Sequence, residues 1–378
     1  MRIAAADLAG FSNLRALYGD EFQLAHTISL TVAFPAFMIR LMTAPLPVGK
    51  LPAELLQKLL QRAPLTDERV LLGPQPGVDC AVLDLGDRLL VLKSDPITFA
   101  TVDIGWYLVQ VNSNDIATMG ATPRWLLVTA LLPENKTSPE LVTEIGEQLY
   151  AACRAMGISV IGGHTEITHG LERPILAGTL IGEVAPQKLV TPQGMQSGDH
   201  ILLTKGVPIE GTALLAGEFP QRLQGILSAA ELAEAQDYLT QPGISVLRDA
   251  QIATGAGQVT AMHDPTEGGL AAALWELATA GDKTLLVDVT AVPIPPLSAR
   301  ICAAFDLDPL ATIASGALLL TAAPKDAPAI IAALQDAGIP CATIGRVAAG
   351  PPQVRHQTAP NQLLPRPKRD EIARIYEQ

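Results

Sequence analysis

The chain has 378 residues, 48% of them hydrophobic, and a formal net charge of −12. That length suits two domains with a sizeable core. An acidic balance excludes a general nucleic-acid or anionic-membrane surface, since both need a basic face.

Residues 1–47 lack a clear hydrophobic period and read as an N-terminal extension of unclear status. Their apolar stretch ISLTVAFPAFMIRLM is short and contains Pro35 and Arg40, so it fails as a spanning helix and as a signal peptide. Met42 is an alternative start. LPAELLQKLLQRA then places Leu55, Leu56, Leu59 and Leu60 on one helical face behind Pro52. CAVLDLGDRLLVLKSDP predicts two strands around the Gly86-Asp87 turn.

DIGWYLVQVNSNDIATMG predicts a helix that closes at Gly120, and RWLLVTALL a strand. SPELVTEIGEQLYAACRAMG carries a Ser N-cap, a Pro at the first helical position and a Gly stop. ISVIGG predicts a buried strand, and ILAGTLIGEV another. The turn cluster TPQGMQSGDH at 191–200 marks a domain joint.

Beyond it, the pattern predicts strands at 201–204, 258–262, 284–289, 316–322 and 341–347. Helices are expected near 211–217, 229–240, 244–254, 268–280, 297–305 and 326–337, before a polar, proline-broken tail. Irregular mixing of strands and helices favours two α+β domains over one doubly wound sheet. The four cysteines are scattered without a C-x-x-C pair, as in a reduced, cytoplasmic chain with small buried thiols.

Chemistry concentrates at element ends. Asp79, Asp95, Asp115 and Asp264 all sit in or beside loops, where an acid either caps a turn or serves a site. Asp79, Asp95 and Asp115 together suit a hard cation such as Mg²⁺, which takes carboxylate and phosphate oxygens. If they converge, three like charges crowd one cleft, and removing one should not harm the apo protein. His164-x-Glu166 is half of a zinc-deaminase signature whose P-C-x-x-C partner is missing. GVPIEGT lacks the lysine of a phosphate-binding P-loop. In AMHDPTEGGLAAALWELA, Gly268-Gly269 opens a helix at a strand end. That arrangement is either a ready anion site or tight strand–helix packing with Asp264 as a cap.

GVDCAV, KSDPITF, VNSNDIATMGATP, VIGGHTE, GDHILLTKG, HDPTEGGL and SGALLLTA occur in the order seen in the AIR synthase-related superfamily. Over roughly residues 50–348 the chain resembles that PurM-like group, and within it HypE-like proteins. The resemblance implies a two-domain α+β fold. An N-terminal ATP-binding domain (48–190) would dimerise through its sheet, followed by a C-terminal domain (191–350) and a polar tail (351–378).

It further implies a homodimer that binds ATP and Mg²⁺ in a cleft. The enzyme would transfer phosphate to, or activate, a small-molecule carbonyl or amide oxygen. Asp79, Asp95 and Asp115 would be metal ligands. Gly77, Asn112, Asn114, Gly162, Gly163, Thr165, Gly268 and Gly269 would contact nucleotide, and His164 and Asp264 would be catalytic. Two departures stand out: the first motif carries Val78-Asp79 where the family pairs two acids, and His164 replaces an acid. The tail RIYEQ lacks the terminal Cys that receives a carbamoyl group, so that reaction is not expected. The competing readings are a non-catalytic nucleotide-binding partner protein and a metal-dependent hydrolase centred on His164 and Glu166.

Overall fold

The computed structural model describes Leu46 and residues 51–75, 77–98 and 102–376. The expectations for 1–41 therefore lie outside the described residues. Helix α1 (Ala53–Leu60) starts behind Pro52, as the leucine spacing predicts.

A first six-stranded sheet contains β1 (Val70–Leu72), β2 (Ala81–Asp84), β3 (Leu89–Ile97), β4 (Thr122–Pro133), β5 (Ser159–Thr168) and β6 (Ile175–Val184). Its order is β1-β2-β3-β6-β4-β5. The β4–β5 pair is parallel and the other pairs are antiparallel. Residues on β6 alternate strictly between buried and half-buried, so one face of the sheet is covered and the other is open.

The covering elements are α2 (Ile104–Thr118) and α3 (Pro139–Met156). The expected caps of α3 are present: Leu141 N–H donates to the Ser138 hydroxyl, and Gly157 closes the helix with φ 68°. Helix α2 is buried almost all round, which is why its sequence shows so little amphipathic contrast.

The expectation of a buried strand at ISVIGG is overturned. Strand β5 is the sheet edge and is exposed along nearly its whole length, with Ile161 54% and Ile167 61% exposed. An apolar run marks burial only when both faces are covered, and here an edge of the sheet carries it.

A second six-stranded sheet has the order β12-β9-β11-β7-β10-β8. Its strands are β7 (His200–Thr204), β8 (Val259–His263), β9 (Thr284–Val287), β10 (Leu319–Ala322), β11 (Cys341–Ala348) and β12 (Gln353–His356). Strands β9 and β10 are buried at every position. Helix α4 (Ile209–Glu218) leads into the sheet's crossover, followed by α5 (Ala229–Gln236) and α6 (Leu247–Ala256). Next come α7 (Gly269–Ala280), α8 (Pro296–Phe305) and α9 (Ala327–Asp336). Residues of α7 pack in one core cluster with β7 and β9, and residues of α6 and α9 in another with β10.

The segment read as a polar tail is partly structural. Strand β12 pairs in parallel with β9, and α10 (Ala373–Tyr376) buries Ile375. All four cysteines are free and buried. Met119 is buried in the core, and Trp275 donates its indole N–H to the Leu364 carbonyl. Among the described residues no helix is long and apolar enough to cross a membrane.

Candidate functional site

Three of the sequence-selected acids meet. Asp95 lies near the end of β3, Asp115 in the last turn of α2, and Asp79 in the loop before β2. What gathers them is a residue the sequence reading passed over. Lys93 Nζ lies 3.2 Å from Asp95 Oδ2, 3.3 Å from Asp115 Oδ2 and 3.7 Å from Asp79 Oδ1. Lys93 and Asp95 are two apart on one strand and so share a face. Only that spacing in KSDP could have signalled the pairing.

Burial works against charge on Lys93, but Asp115, Asp79 and Asp95 together raise its pKa above the ordinary lysine value. The surrounding carboxylates favour its ammonium form. Burial also pushes the carboxyls of Asp115 and Asp95 up, with Lys93 pulling the other way.

The second sheet closes the cluster. His263, at the end of β8, places Nδ1 3.4 Å from Asp79 Oδ2 and Nε2 3.0 Å from Glu276 Oε2 on α7. Burial opposes charge on His263, yet the Glu276 hydrogen bond and the Asp79 charge outweigh it and hold its pKa at about 9. Asp264 follows at 2% exposure, its carboxyl raised by burial. Gly77, Asp79, Met262 and His263 line a narrow crevice here. Gly77, with φ 77°, lets the loop lie against α7, where a Cβ would meet Ala280 and the Glu276 carbonyl at 3.3 Å.

The two asparagines do not face this crevice. The Asp95 N–H donates to Asn112 Oδ1 at 3.1 Å, and Asn112 Nδ2 donates to the Leu108 carbonyl at 2.9 Å. Asn114 Nδ2 donates to the Ile244 carbonyl at 2.8 Å, while Val246 N–H donates to Asn114 Oδ1 at 2.9 Å. Both residues are fully buried. Within the chain their side chains fix β3 and the 244–246 backbone, where nucleotide contact had been expected of them.

Gly162, Gly163, His164 and Thr165 also lie elsewhere. They sit on β5, separated from β3 by β6 and β4. Gly163 needs its missing side chain, because a Cβ would fall 1.8 Å from the Val128 carbonyl. His164 is exposed and pairs with Glu166 at 3.1 Å. The catalytic role expected for His164 therefore has no support within one chain.

The Gly268-Gly269 turn has a direct explanation. Gly268 (φ 80°) and Gly269 (φ 61°) bring the first turn of α7 against residues 310–312, where a Cβ on Gly269 would meet two carbonyls at 2.6 Å. The anion at this helix mouth comes from the protein itself. Gly268 N–H donates to Asp370 Oδ2 at 2.6 Å, and Ile372 N–H donates to Asp370 Oδ1 at 2.8 Å. The tail thus fills the place a phosphate would take. Glu210, in the first turn of α4, adds another buried acid near Asp264 and Asp370, and burial raises its pKa to about 7.

These donors do not suit the magnesium that the resemblance implies. The three carboxylates expected to hold it already surround an ammonium. Among the described residues no three His, Cys, Asp or Glu side chains group as metal ligands. The residues present do not fit a resident divalent ion.

Residues 77–184 match the model for the N-terminal domain of AIR synthase related protein, and residues 196–357 match the model for its C-terminal domain. Together they span more than half of the chain. The chain belongs to the AIR synthase-related family. The Lys93 cluster is therefore built from both matched domains, with His263 and Asp264 coming from the second.

Among relatives of this family member is a carbamoyl dehydratase HypE from Cupriavidus necator, 29% identical over 64% of this chain and 66% of the relative. A crystal structure of thiamine-monophosphate kinase from Stenotrophomonas maltophilia aligns at TM-score 0.59 and 25% identity, covering 81% of this chain and 96% of that one. A structure of the maturation protein HypE in complex with ATP aligns at TM-score 0.59 and 24% identity, covering 82% and 91%. These confirm the two-domain α+β, PurM-like fold.

Proposed function

We propose that the protein is an ATP-using enzyme that activates a carbonyl or amide oxygen of a small molecule by phosphoryl transfer. The carrying observation is the convergence of Asp79, Asp95 and Asp115 on Lys93 beside His263. Phosphoryl transfer asks a protein chiefly for positioning and for charge of the right sign, and this cluster holds both signs within 3.7 Å of each other. The acceptor oxygen would attack the γ-phosphorus as the bond to ADP breaks; the C–O bond would then break to release phosphate as an amide N–H gives up its proton and a further C–N bond forms, or as a nucleophile bonds to the carbon.

The names of the relatives, a dehydratase acting on a carbamoyl group and a kinase, support this reading. So does a neighbour of the same fold that is an ATP complex. Magnesium enters the proposal as the ion that ATP carries on its own phosphates. Two chains would dock through the β5 edge and the open sheet face, where Leu127, Ile161 and Ile167 are exposed. The buried free thiols are in keeping with a cytoplasmic setting. A hydrolase centred on His164 and Glu166 is disfavoured, because the two side chains pair with each other at an exposed edge.

The test is phosphorus NMR of the full chain with Mg-ATP and a panel of small carboxamides and carbonyl acids. Acceptor-stimulated ADP formation, at least tenfold over the protein alone, supports the enzyme. ATP binding with no turnover on any acceptor favours the non-catalytic nucleotide-binding protein.

A further inference from the structure

We infer that the Lys93 ammonium is the resident cation of this acid cluster, and that the cluster takes no divalent ion of its own. An ammonium carries three N–H donors, and three carboxylates from three different segments stand within 3.2–3.7 Å of it. Its side chain is only 11% exposed, so it cannot swing into solvent without leaving a cavity between β3 and α2.

Magnesium demands six oxygens at about 2.0–2.1 Å in near-ideal octahedral order. Carboxylates spread around an ammonium cannot draw in to that distance without expelling it. A divalent ion on the same oxygens would also face the lysine charge at short range. Val78, beside Asp79, adds no fourth carboxylate to the set. An internal cation among three carboxylates lowers the need for metal.

Lys93 therefore does the work of positioning Asp79, Asp95 and Asp115 and of offsetting their mutual repulsion. This inference does not rest on the proposed reaction, because it concerns the protein without nucleotide.

Manganese is the probe. The full chain, free of nucleotide, is titrated with Mn²⁺ and the free ion is followed by electron paramagnetic resonance. The wild type is expected to show no site that the Asp115→Asn change removes. Lys93→Met keeps the stem and deletes the charge, and is expected to gain a Mn²⁺ site at least tenfold tighter than any in the wild type. Adding Asp115→Asn to that variant should abolish the gain, and Mn²⁺ should raise the melting temperature of Lys93→Met alone. Wild-type binding of one Mn²⁺ per chain that Asp115→Asn abolishes would overturn the inference, as would a folded Lys93→Met chain without the gain. If Lys93→Met does not fold, the wild-type titration with its Asp115→Asn control decides alone.

Discussion

Lys93 Nζ and Asp115 Oδ2 lie 3.3 Å apart, one at 11% and the other at 7% side-chain exposure. The neighbouring acids still repel Asp115, and Lys93 offsets that repulsion. Asp115→Asn removes the most buried of the three carboxylates that stabilise the Lys93 charge, although Asp79 and Asp95 remain beside it. Asp115→Asn should therefore destabilise the chain by about 2 kcal/mol or more. Urea unfolding at neutral pH checks it, and unchanged or raised stability would contradict the pairing.

Glu210 predicts a pH effect of definite sign. Burial raises its folded pKa to about 7 from the ordinary 4.5, so the folded chain keeps a proton that the unfolded chain gives up. The stability it contributes is present below about pH 4.5 and is lost as pH rises through about 7. Relative to wild type, Glu210→Gln should gain roughly 3 kcal/mol between pH 4 and 9. Unfolding curves of both proteins at the two pH values measure the difference, and a constant offset would count against a buried, protonated Glu210.

His263 gives a second pH window. Its folded pKa, held at about 9 by Glu276 and Asp79 against burial, exceeds the free value. The stabilisation is thus full below about pH 6.5 and is lost as pH rises through about 9. His263→Gln should be clearly less stable than wild type at pH 6 and close to it at pH 10. Equal gaps at both pH values would mean that the imidazole acts by packing alone.

Asp370 ties the tail to α7. Asp370→Ala should cost about 1–2 kcal/mol, the range for losing a helix-capping carboxylate. It should also speed hydrogen exchange at the Gly268 and Ile372 amides. Unaltered exchange at both would show that the contact is not held in solution.

The β5 edge predicts an oligomer. Ile161→Lys should convert a dimer to a monomer without loss of fold, because the side chain is already exposed in one chain. Light scattering after size exclusion reads the mass directly. A wild-type monomer would contradict the docking face.

The fold was legible where local chemistry and packing agree. Ser138, Pro139 and Gly157 announce α3, and Gly86-Asp87 announces the first hairpin, because each device acts within a few residues. Strand β1 is too short to show a period, and β12 is visible only through its pairing with β9. The acids of the site were legible because Asp is rare inside helices and buried strands, and acids in loops often serve a site. Their partner was not, since a lysine on a strand ordinarily reads as solvated surface. Nor could the sequence show that Asp370 reaches Gly268 across the chain.

The most direct test of the account is a calorimetric titration of Mg-ATP into the full chain, wild type and Lys93→Met side by side. One site per wild-type chain is predicted, with affinity at least tenfold weaker in the folded variant, a loss of about 1.4 kcal/mol or more. No binding to folded wild type, or equal affinity in the two proteins, would contradict a nucleotide site organised around Lys93.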